Sequence, residues 1–448
     1  MQSAGLKQAK TLIECINSFD VEPLRGDDFD TMFCDTHAAR TGNRDMSPIL
    51  DFIDDYRAAR ECKHMLLMGH RGCGKSTEMY TFIKAMRKDD ARYFVVDVSA
   101  RYYLDFNAAT YTDVLVMMMT ELAKGAGDAG LDLPDDAVAP LAEYWKTVVE
   151  KAKMTGFSGE LTGEAGIGGE GLWRKVLGFF GTLNAKMVAE AATRRTVNTH
   201  IDPDVNTFIN KLREFCANVQ AAWQQETGHD TLPIIVVDDL DRLTQERALD
   251  IFANHGSTLA LLPMHVIYTF PIQLAYSSRF NGIKAYFSEA RVLPMIKLRD
   301  WEPGAGYRPA PQGKEVLRCI VERRAELSLF TKPALDLLIE KTGGYLRDLF
   351  RTISQAARLA KRREKPKIGV AEAQLALNDL QSELGRSIQV KDYQILKEIY
   401  DGRKTDIPSH EEMLGLLDNR VIMEYNGKRW CDLHPLVEDL LKANGVLG

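Results

Sequence analysis

Gly69-His70-Arg71-Gly72-Cys73-Gly74-Lys75-Ser76-Thr77 is the stretch on which the reading of this chain turns. It satisfies the template G-x-x-x-x-G-K-[ST] at every fixed position. It follows the apolar run His64-Met65-Leu66-Leu67-Met68 and precedes a helix-like stretch from Thr77 to Met86. Glycines let the backbone curl so that successive N–H groups point inward at phosphate oxygens, and the next helix adds its positive N-terminal end. The spacing therefore assigns Gly69, Arg71, Gly72, Cys73, Gly74, Lys75, Ser76 and Thr77 to a phosphate cradle. Lys75 would reach the β- and γ-phosphates, and the Ser76 hydroxyl would take a place on Mg²⁺. The competing reading is a glycine-rich strand-to-helix turn that binds nothing; the flanking strand and helix argue against it.

Composition bounds the rest. At 448 residues, with 45% hydrophobic and 27% charged residues, the chain has room for two or three ordinary globular domains. Its first twenty residues lack a long apolar core, so no signal peptide is expected, and no apolar run is long enough to predict a membrane span. The 7 cysteines are scattered, odd in number and never in a C-x-x-C pair, which predicts reduced thiols in a cytoplasmic protein rather than zinc or a disulfide framework. A net charge of -6 gives no global attraction to nucleic acid.

Around the cradle the chain alternates apolar runs with helical periodicity. Tyr93 to Ser99 reads as a buried strand, and Thr110 to Lys124 and Asp135 to Lys153 read as helices. The glycine-rich residues 154–175 read as a loop or hairpin inserted in the core. Joined to Trp173-Arg174-Lys175-Val176-Leu177-Gly178-Phe179-Phe180, they make a second reading, a surface that docks a partner or membrane. Ile234-Ile235-Val236-Val237-Asp238-Asp239 is a fully apolar strand ending in an acidic pair, and the carboxyl ends of parallel strands open on a ligand crevice. Asp238 is the candidate for Mg²⁺ and Asp239 for polarising an attacking water.

His265 to Phe270 is a further strand. Thr269 at its end either positions that water or satisfies local backbone groups. A fifth strand is expected over Val292 to Leu298. Arg279, in the preceding loop, is a candidate arginine finger toward a neighbouring subunit, with a plain surface arginine as its competitor. Residues 301–311, WEPGAGYRPAP, read as a linker. Helical periodicity then resumes and contains Gly343-Gly344-Tyr345-Leu346-Arg347-Asp348-Leu349, with Arg347 placed to project toward the phosphates. The basic cluster from Arg358 to Lys367 reads as a solvated helix face or as a nucleic-acid patch. Two helices and an Asn426-Gly427 hairpin at the end of the chain predict a winged helix. The boundaries expected are 1–40 for a helical lead-in, 41–300 for an ATPase core with an insertion at about 154–181, 301–380 for a helical lid and 385–448 for the winged helix.

The order of these motifs resembles the AAA+ and STAND class of P-loop ATPases, in particular bacterial members sharing G-H-R-G-x-G-K-S-T and archaeal origin-binding ATPases. The resemblance implies an α/β fold, a parallel sheet of strand order 5-1-4-3-2 with helices on both faces, followed by a helical lid and a C-terminal winged helix. It implies ATP and Mg²⁺ between core and lid, with Arg347 as the lid arginine that senses the γ-phosphate. Arg44, in a turn upstream of the first strand, would touch the adenine end. Asp239 stands where many such ATPases have Glu, and the resemblance to STAND proteins with Asp-Asp implies a slowly hydrolysing switch. It also implies a setting in a bacterial defence or regulatory complex, with a protein partner or a homo-oligomer. His434 lies near the place of a STAND histidine that contacts bound ADP, but the usual M-H-D is absent, and a turn-capping histidine is the other reading. A different class of function, a DNA-binding loader or remodeller using the winged helix and the basic lid, stays open.

Overall fold

The chain is described by a computed structural model over residues 6–42, 61–88, 92–154, 171–402, 404–405, 411–425 and 430–448. Five short runs form one parallel sheet: β1 His64–Met68, β2 Val95–Ser99, β3 Ile234–Asp238, β4 His265–Thr269 and β5 Glu289–Val292. They lie in the order β2-β3-β4-β1-β5. β1, β3 and β4 are buried at every position, as strands covered on both faces must be, which explains their unbroken apolar character. The register pairs Ser99 with Asp238 and Leu67 with Thr269, so the ends of β1 to β4 come together on one rim of the sheet. This arrangement is the α/β fold of the P-loop ASCE division, here followed by a helical lid and a winged helix.

Each face of the sheet is sealed by helices. Met79, Phe82, Ile83 and Met86, spaced along one stripe of the Lys75–Lys88 helix, pack on Met65, Leu67, Val236 and Ile267. Each such side chain, fully buried, contributes about 1.5–3 kcal/mol. The other face carries the Tyr111–Asp128 helix, whose Val116 to Met119 patch is entirely core.

Four corrections concern the peripheral segments. Trp173, Val176 and Phe180 of the Leu172–Ala189 helix are buried, with the Trp173 indole donating to the Leu131 carbonyl at 3.1 Å. Trp173 and Phe180, read as part of a docking surface, are therefore core and Phe179 is half-buried, while Arg174, Lys175 and Gly178 face out. The glycine-rich residues 155–170 lie outside the described residues. β5 ends at Val292, where a strand to Leu298 was expected, because the chain after it bends to meet the C-terminal hairpin: the Met295 N–H donates to Glu424 O at 3.2 Å. The expected linker is an antiparallel hairpin, β6 Arg299–Glu302 and β7 Gly306–Pro309, closed by glycines.

The fourth correction is covalent. Cys34 and Cys319, 285 residues apart, form a disulfide with their Cα atoms 6.5 Å apart. Cysteine spacing could not show this pair, because only the fold brings residue 34 against the Pro311–Arg324 helix.

That helix begins the lid, which continues through Lys332–Lys341, Leu346–Arg362 and Val370–Gly385. The N-terminal segment straddles lid and core. Its Leu12–Ser18 helix packs on Leu346–Arg362, while Leu24 N donates to Thr77 Oγ1 at 3.3 Å in the core. The winged helix is built from Tyr393–Asp401, Glu411–Asp418, the hairpin β8 Ile422–Tyr425 and β9 Trp430–Leu433, and Pro435–Ala443. His434 is fully buried there, and its Nδ1 accepts the Leu436 N–H at 3.2 Å as a helix cap.

Gly344 joins lid to core at a point with no room for a side chain. Its φ is +84°, and a Cβ there would lie 1.9 Å from the Ile296 carbonyl oxygen. Gly344→Ala is expected to cost roughly 3 kcal/mol or more in urea-denaturation experiments. Gly130→Ala, at φ +73° but in open space, is expected to cost only about 1 kcal/mol. Equal midpoints for the two variants would contradict the close approach.

Candidate nucleotide site

Between β1 and the Lys75–Lys88 helix the loop curls as its sequence requires. Gly72 sits at φ +85°, and a Cβ there would press on the Arg347 and Tyr345 side chains at 2.6–2.8 Å. Glycine is needed both for the backbone conformation and for the approach of the lid. The loop borders a cavity of about 490 Å³ whose walls include Arg71, Gly72, Gly74, Lys75, Ser76 and Thr77. Cys73 is buried beside it and Gly69 lies behind, packed on the Leu293 carbonyl.

Lys75 is buried, and its ammonium is fully engaged. It donates to Gly69 O at 2.6 Å and His70 O at 3.2 Å, and it pairs with Asp241 Oδ2 at 2.8 Å. Burial opposes this charge, but Asp241 foremost among the neighbouring groups more than offsets it and raises the lysine pKa. Asp241 was not singled out in the sequence. Its place two residues beyond the acidic pair is the only signal that pointed to it.

Asp238 is buried at the end of β3. Its Oδ1 accepts the Asp239 N–H at 2.7 Å, while Oδ2 is buried without a hydrogen-bond partner among the described residues. Burial, then repulsion from Asp239 and Asp241, pushes its pKa up to about 6, against the nearby Ser76 hydroxyl, which favours the ionised form. An orphaned carboxylate oxygen beside a hydroxyl that lines the cavity suits Mg²⁺, which keeps several waters and shares phosphate oxygens rather than filling a closed protein cage. In keeping with that, no three His, Cys, Asp or Glu side chains converge as a metal cage among the described residues.

Asp239 lines the cavity but in an unusual posture. Its φ is +66°, and its Oδ2 accepts the Ser99 hydroxyl at 2.5 Å and pairs with Arg101 at 3.2 Å, while Arg242 stands 3.6 Å from Oδ1. Arg347 reaches the cavity from the lid; its amide donates to Gly72 O at 3.3 Å, and its Nε has no partner among the described residues.

Three other candidates fall elsewhere. Thr269 is fully buried and off the cavity. It accepts the Leu240 N–H at 2.9 Å and donates to Val237 O at 3.2 Å, the contacts that the local-backbone reading describes. Arg279 is exposed, at the start of the short helix Phe280–Lys284, and away from the cavity of its own chain. Arg44 lies outside the described residues.

Among the described residues, Arg40 touches the loop from upstream. Fully buried, it donates to Cys73 O at 2.6 Å and to Pro294 O, and its Nε donates to Thr36 Oγ1 at 2.8 Å. Glu78, buried on the helix after the loop, holds this segment through Thr36 at 2.5 Å and His37 at 3.1 Å. The loop is also held from behind. The His70 Nε2 accepts the Glu424 N–H of β8 at 3.0 Å, and burial, then Lys75, pulls the His70 pKa down to about 3, so the ring is neutral and can accept. The Tyr345 hydroxyl donates to Arg71 O.

The sheet order, the loop and the acidic strand end together define a P-loop NTPase fold. A protein-family model described as the type IV secretion-system coupling protein DNA-binding domain matches residues 55–121. No curated protein matches the chain. Among solved structures, the Aeropyrum pernix ORC2 protein in ADPNP–ADP complexes is similar at 12% identity, covering 98% of this chain and all of that one, with a TM-score of 0.40. Cdc6p from Pyrobaculum aerophilum is similar at 13% identity and a TM-score of 0.38, covering 94% of this chain and 97% of that one. The Drosophila ORC bound to DNA is similar at 10% identity and a TM-score of 0.40, covering 99% and 94%.

The Asp238 carboxyl makes stability depend on pH. Its folded pKa of about 6 exceeds the ordinary 3.8, so the folded protein holds the proton more tightly and stability from this group falls as pH rises from about 4 to about 6. Compared with Asp238→Asn in metal-free buffer, the wild type should lose on the order of 3 kcal/mol across that window and then run parallel. Urea midpoints at half-unit steps of pH measure this. A constant offset between the two proteins would refute the raised pKa.

Proposed function

We propose that this chain binds Mg²⁺–ATP in the cavity between loop and lid and hydrolyses it slowly, as a switch of conformation or assembly. The observation that carries the reading is the buried Lys75 ammonium at the cavity wall, facing the same space as Ser76, Asp239 and Arg347. The loop amides would bind the phosphates. Lys75 would exchange its Asp241 partner for β- and γ-phosphate oxygens, trading one charge-assisted contact for another. Asp238 and Ser76 would hold Mg²⁺, which supplies charge neutralisation on the phosphate oxygens when bound.

Slow turnover follows from the engagement of Asp239. Its carboxylate is tied to Ser99 and Arg101, so orienting a water requires that contact to loosen, and its side chain is one methylene shorter than Glu. The switch follows from Arg347, a lid residue whose amide already rests on the loop: phosphate charge in the cavity would draw its guanidinium inward and tie lid position to the nucleotide. Arg279, exposed and off the cavity of its own chain, could serve only a neighbouring copy, so an oligomer is part of the reading. The regulatory or defence setting would reside in the partner that reads the lid.

Lys75→Ala is expected to weaken ATP binding by about 100-fold, roughly 3 kcal/mol. Asp239→Asn is expected to keep binding and lose about 100-fold or more in turnover. Equilibrium binding and single-turnover hydrolysis test the pair, and unchanged ATP affinity in Lys75→Ala would sink the proposal.

A second reading, a DNA-binding loader, draws on the description of the matching family and on the exposed run Arg358, Lys361, Arg362, Lys365 and Lys367 at the end of the Leu346–Arg362 helix. It predicts DNA binding whose log affinity falls linearly with log salt, with a shallower slope once these five are replaced by Gln. Gel shifts across a salt series read this directly; no binding at 50 mM salt would remove the loader reading.

A further inference from the structure

One buried cation on the cavity wall has no part in the phosphate chemistry. Arg324 ends the first lid helix, Pro311–Arg324, and is 3% exposed. Its guanidinium makes no hydrogen bond or ion pair with any of the described residues, and its Nε is buried without an acceptor. The Phe350 ring lies 4.5 Å beneath it. Burial pulls its pKa down to about 10, with Asp28 and Asp20 acting at longer range to hold it up. A buried guanidinium with idle donors is costly, and such groups are ordinarily paired. Here the space beside it is the cavity.

The cavity wall around Arg324 differs from the wall formed by the loop. It is apolar: Leu24 and Phe33 come from the N-terminal segment, Ile320 and Phe350 from the lid. An apolar slot with a few convergent polar groups is what a heterocyclic base requires, with the triphosphate placed on the loop. We infer that Arg324 reads the nucleobase, donating from its guanidinium to a ring nitrogen of adenine while the base lies against the apolar wall. This rests on the nucleotide reading above and deepens it. Arginine carries donors only, so it cannot accept from the adenine 6-amino group; its partner must be N1, N3 or N7.

Arg324 is held in place before any ligand arrives. Its carbonyl accepts the Ala9 N–H at 2.8 Å, and Glu326 N returns a bond to Ala9 O at 2.9 Å. One and a half turns earlier the Cys34–Cys319 disulfide ties the same helix to the opposite, N-terminal wall. A planar fork fixed at its root and stacked on an aromatic ring loses little freedom on binding.

The experiment uses the full chain and equilibrium binding of five probes: ATP, inorganic tripolyphosphate, and the 1-, 3- and 7-deaza analogues of ATP, each with Mg²⁺. Arg324→Met is expected to weaken ATP binding about tenfold or more and to leave tripolyphosphate within about twofold. One deaza analogue should show the same loss on the wild type and no further loss on Arg324→Met. Arg324→Lys, which keeps the charge without the fork, should fall between the two on ATP, and it supplies a folded variant if Arg324→Met is unstable.

ATP affinity unchanged in Arg324→Met, or tripolyphosphate affinity falling in step with ATP, would overturn the base-reading role while leaving the nucleotide site intact. So would a wild type that binds all three analogues as tightly as ATP, a result that needs no variant. A wild type that binds neither ATP nor tripolyphosphate would overturn the nucleotide reading and this inference together.

Discussion

The ammonium of Lys75, buried at the rim of a parallel sheet, is the constraint around which the molecule is arranged. A lone buried cation is costly, and here it is balanced by Asp241 and two loop carbonyls. Asp241 in turn belongs to a rim crowded with negative charge, where Asp238 is pushed toward its protonated form. The site is therefore poised: excess carboxylate on one side, donors on the other, and a cavity between them that phosphate and a divalent cation would complete. In the proposed reading, the internal pair between Lys75 and Asp241 would make ligand binding an exchange of partners and let occupancy alter the position of the turn that carries Asp239 and Arg242.

That local balance is transmitted because the loop is gripped by every other part of the chain. Arg40, upstream, holds the Cys73 carbonyl; Tyr345, in the lid, holds that of Arg71; and β8 of the winged helix donates to His70. Cys73, Tyr345, Met423, Tyr425 and Trp430 share one apolar cluster on the back of the loop. The winged helix, whose hairpin strands are buried at every described position, is thus part of the nucleotide site's support. The hairpin meets the loop through a backbone hydrogen bond to a neutral imidazole and through this shared cluster.

Much of the fold was legible because its signals are local. A phosphate loop between strand and helix, an apolar strand ending in two acids and two alternating apolar runs that pair as β8 and β9 each report the geometry their residues need. Where the reading failed, the deciding contacts were distant. Trp173 and Phe180 look like a docking surface in a glycine-rich neighbourhood, and only packing against the helices over 111–154 makes them core. For Thr269 the sequence left two readings open, and the turn after Asp239 lies close enough to donate the Leu240 N–H to its hydroxyl. The chain over 299–309 reads as a linker because its strands are short and rich in Gly and Pro, and it is held as a hairpin by the winged helix through Arg299, Tyr307 and Asp432.

The amino-acid sequence by itself determined the phosphate loop, the strand that answers it and the order of core, lid and winged helix, since each depends on residues within about ten positions of one another. Tertiary structure alone decided which carboxylate neutralises Lys75, that Arg40 grips the loop, that Cys34 meets Cys319 and that Arg324 faces the cavity with its donors idle. These pairings join residues 33 to 285 positions apart, and no local preference of the chain encodes them. They arise because helices must seal both faces of the five-stranded sheet, and the connections that carry them bring the N-terminal segment, the acidic strand end and the lid to one rim.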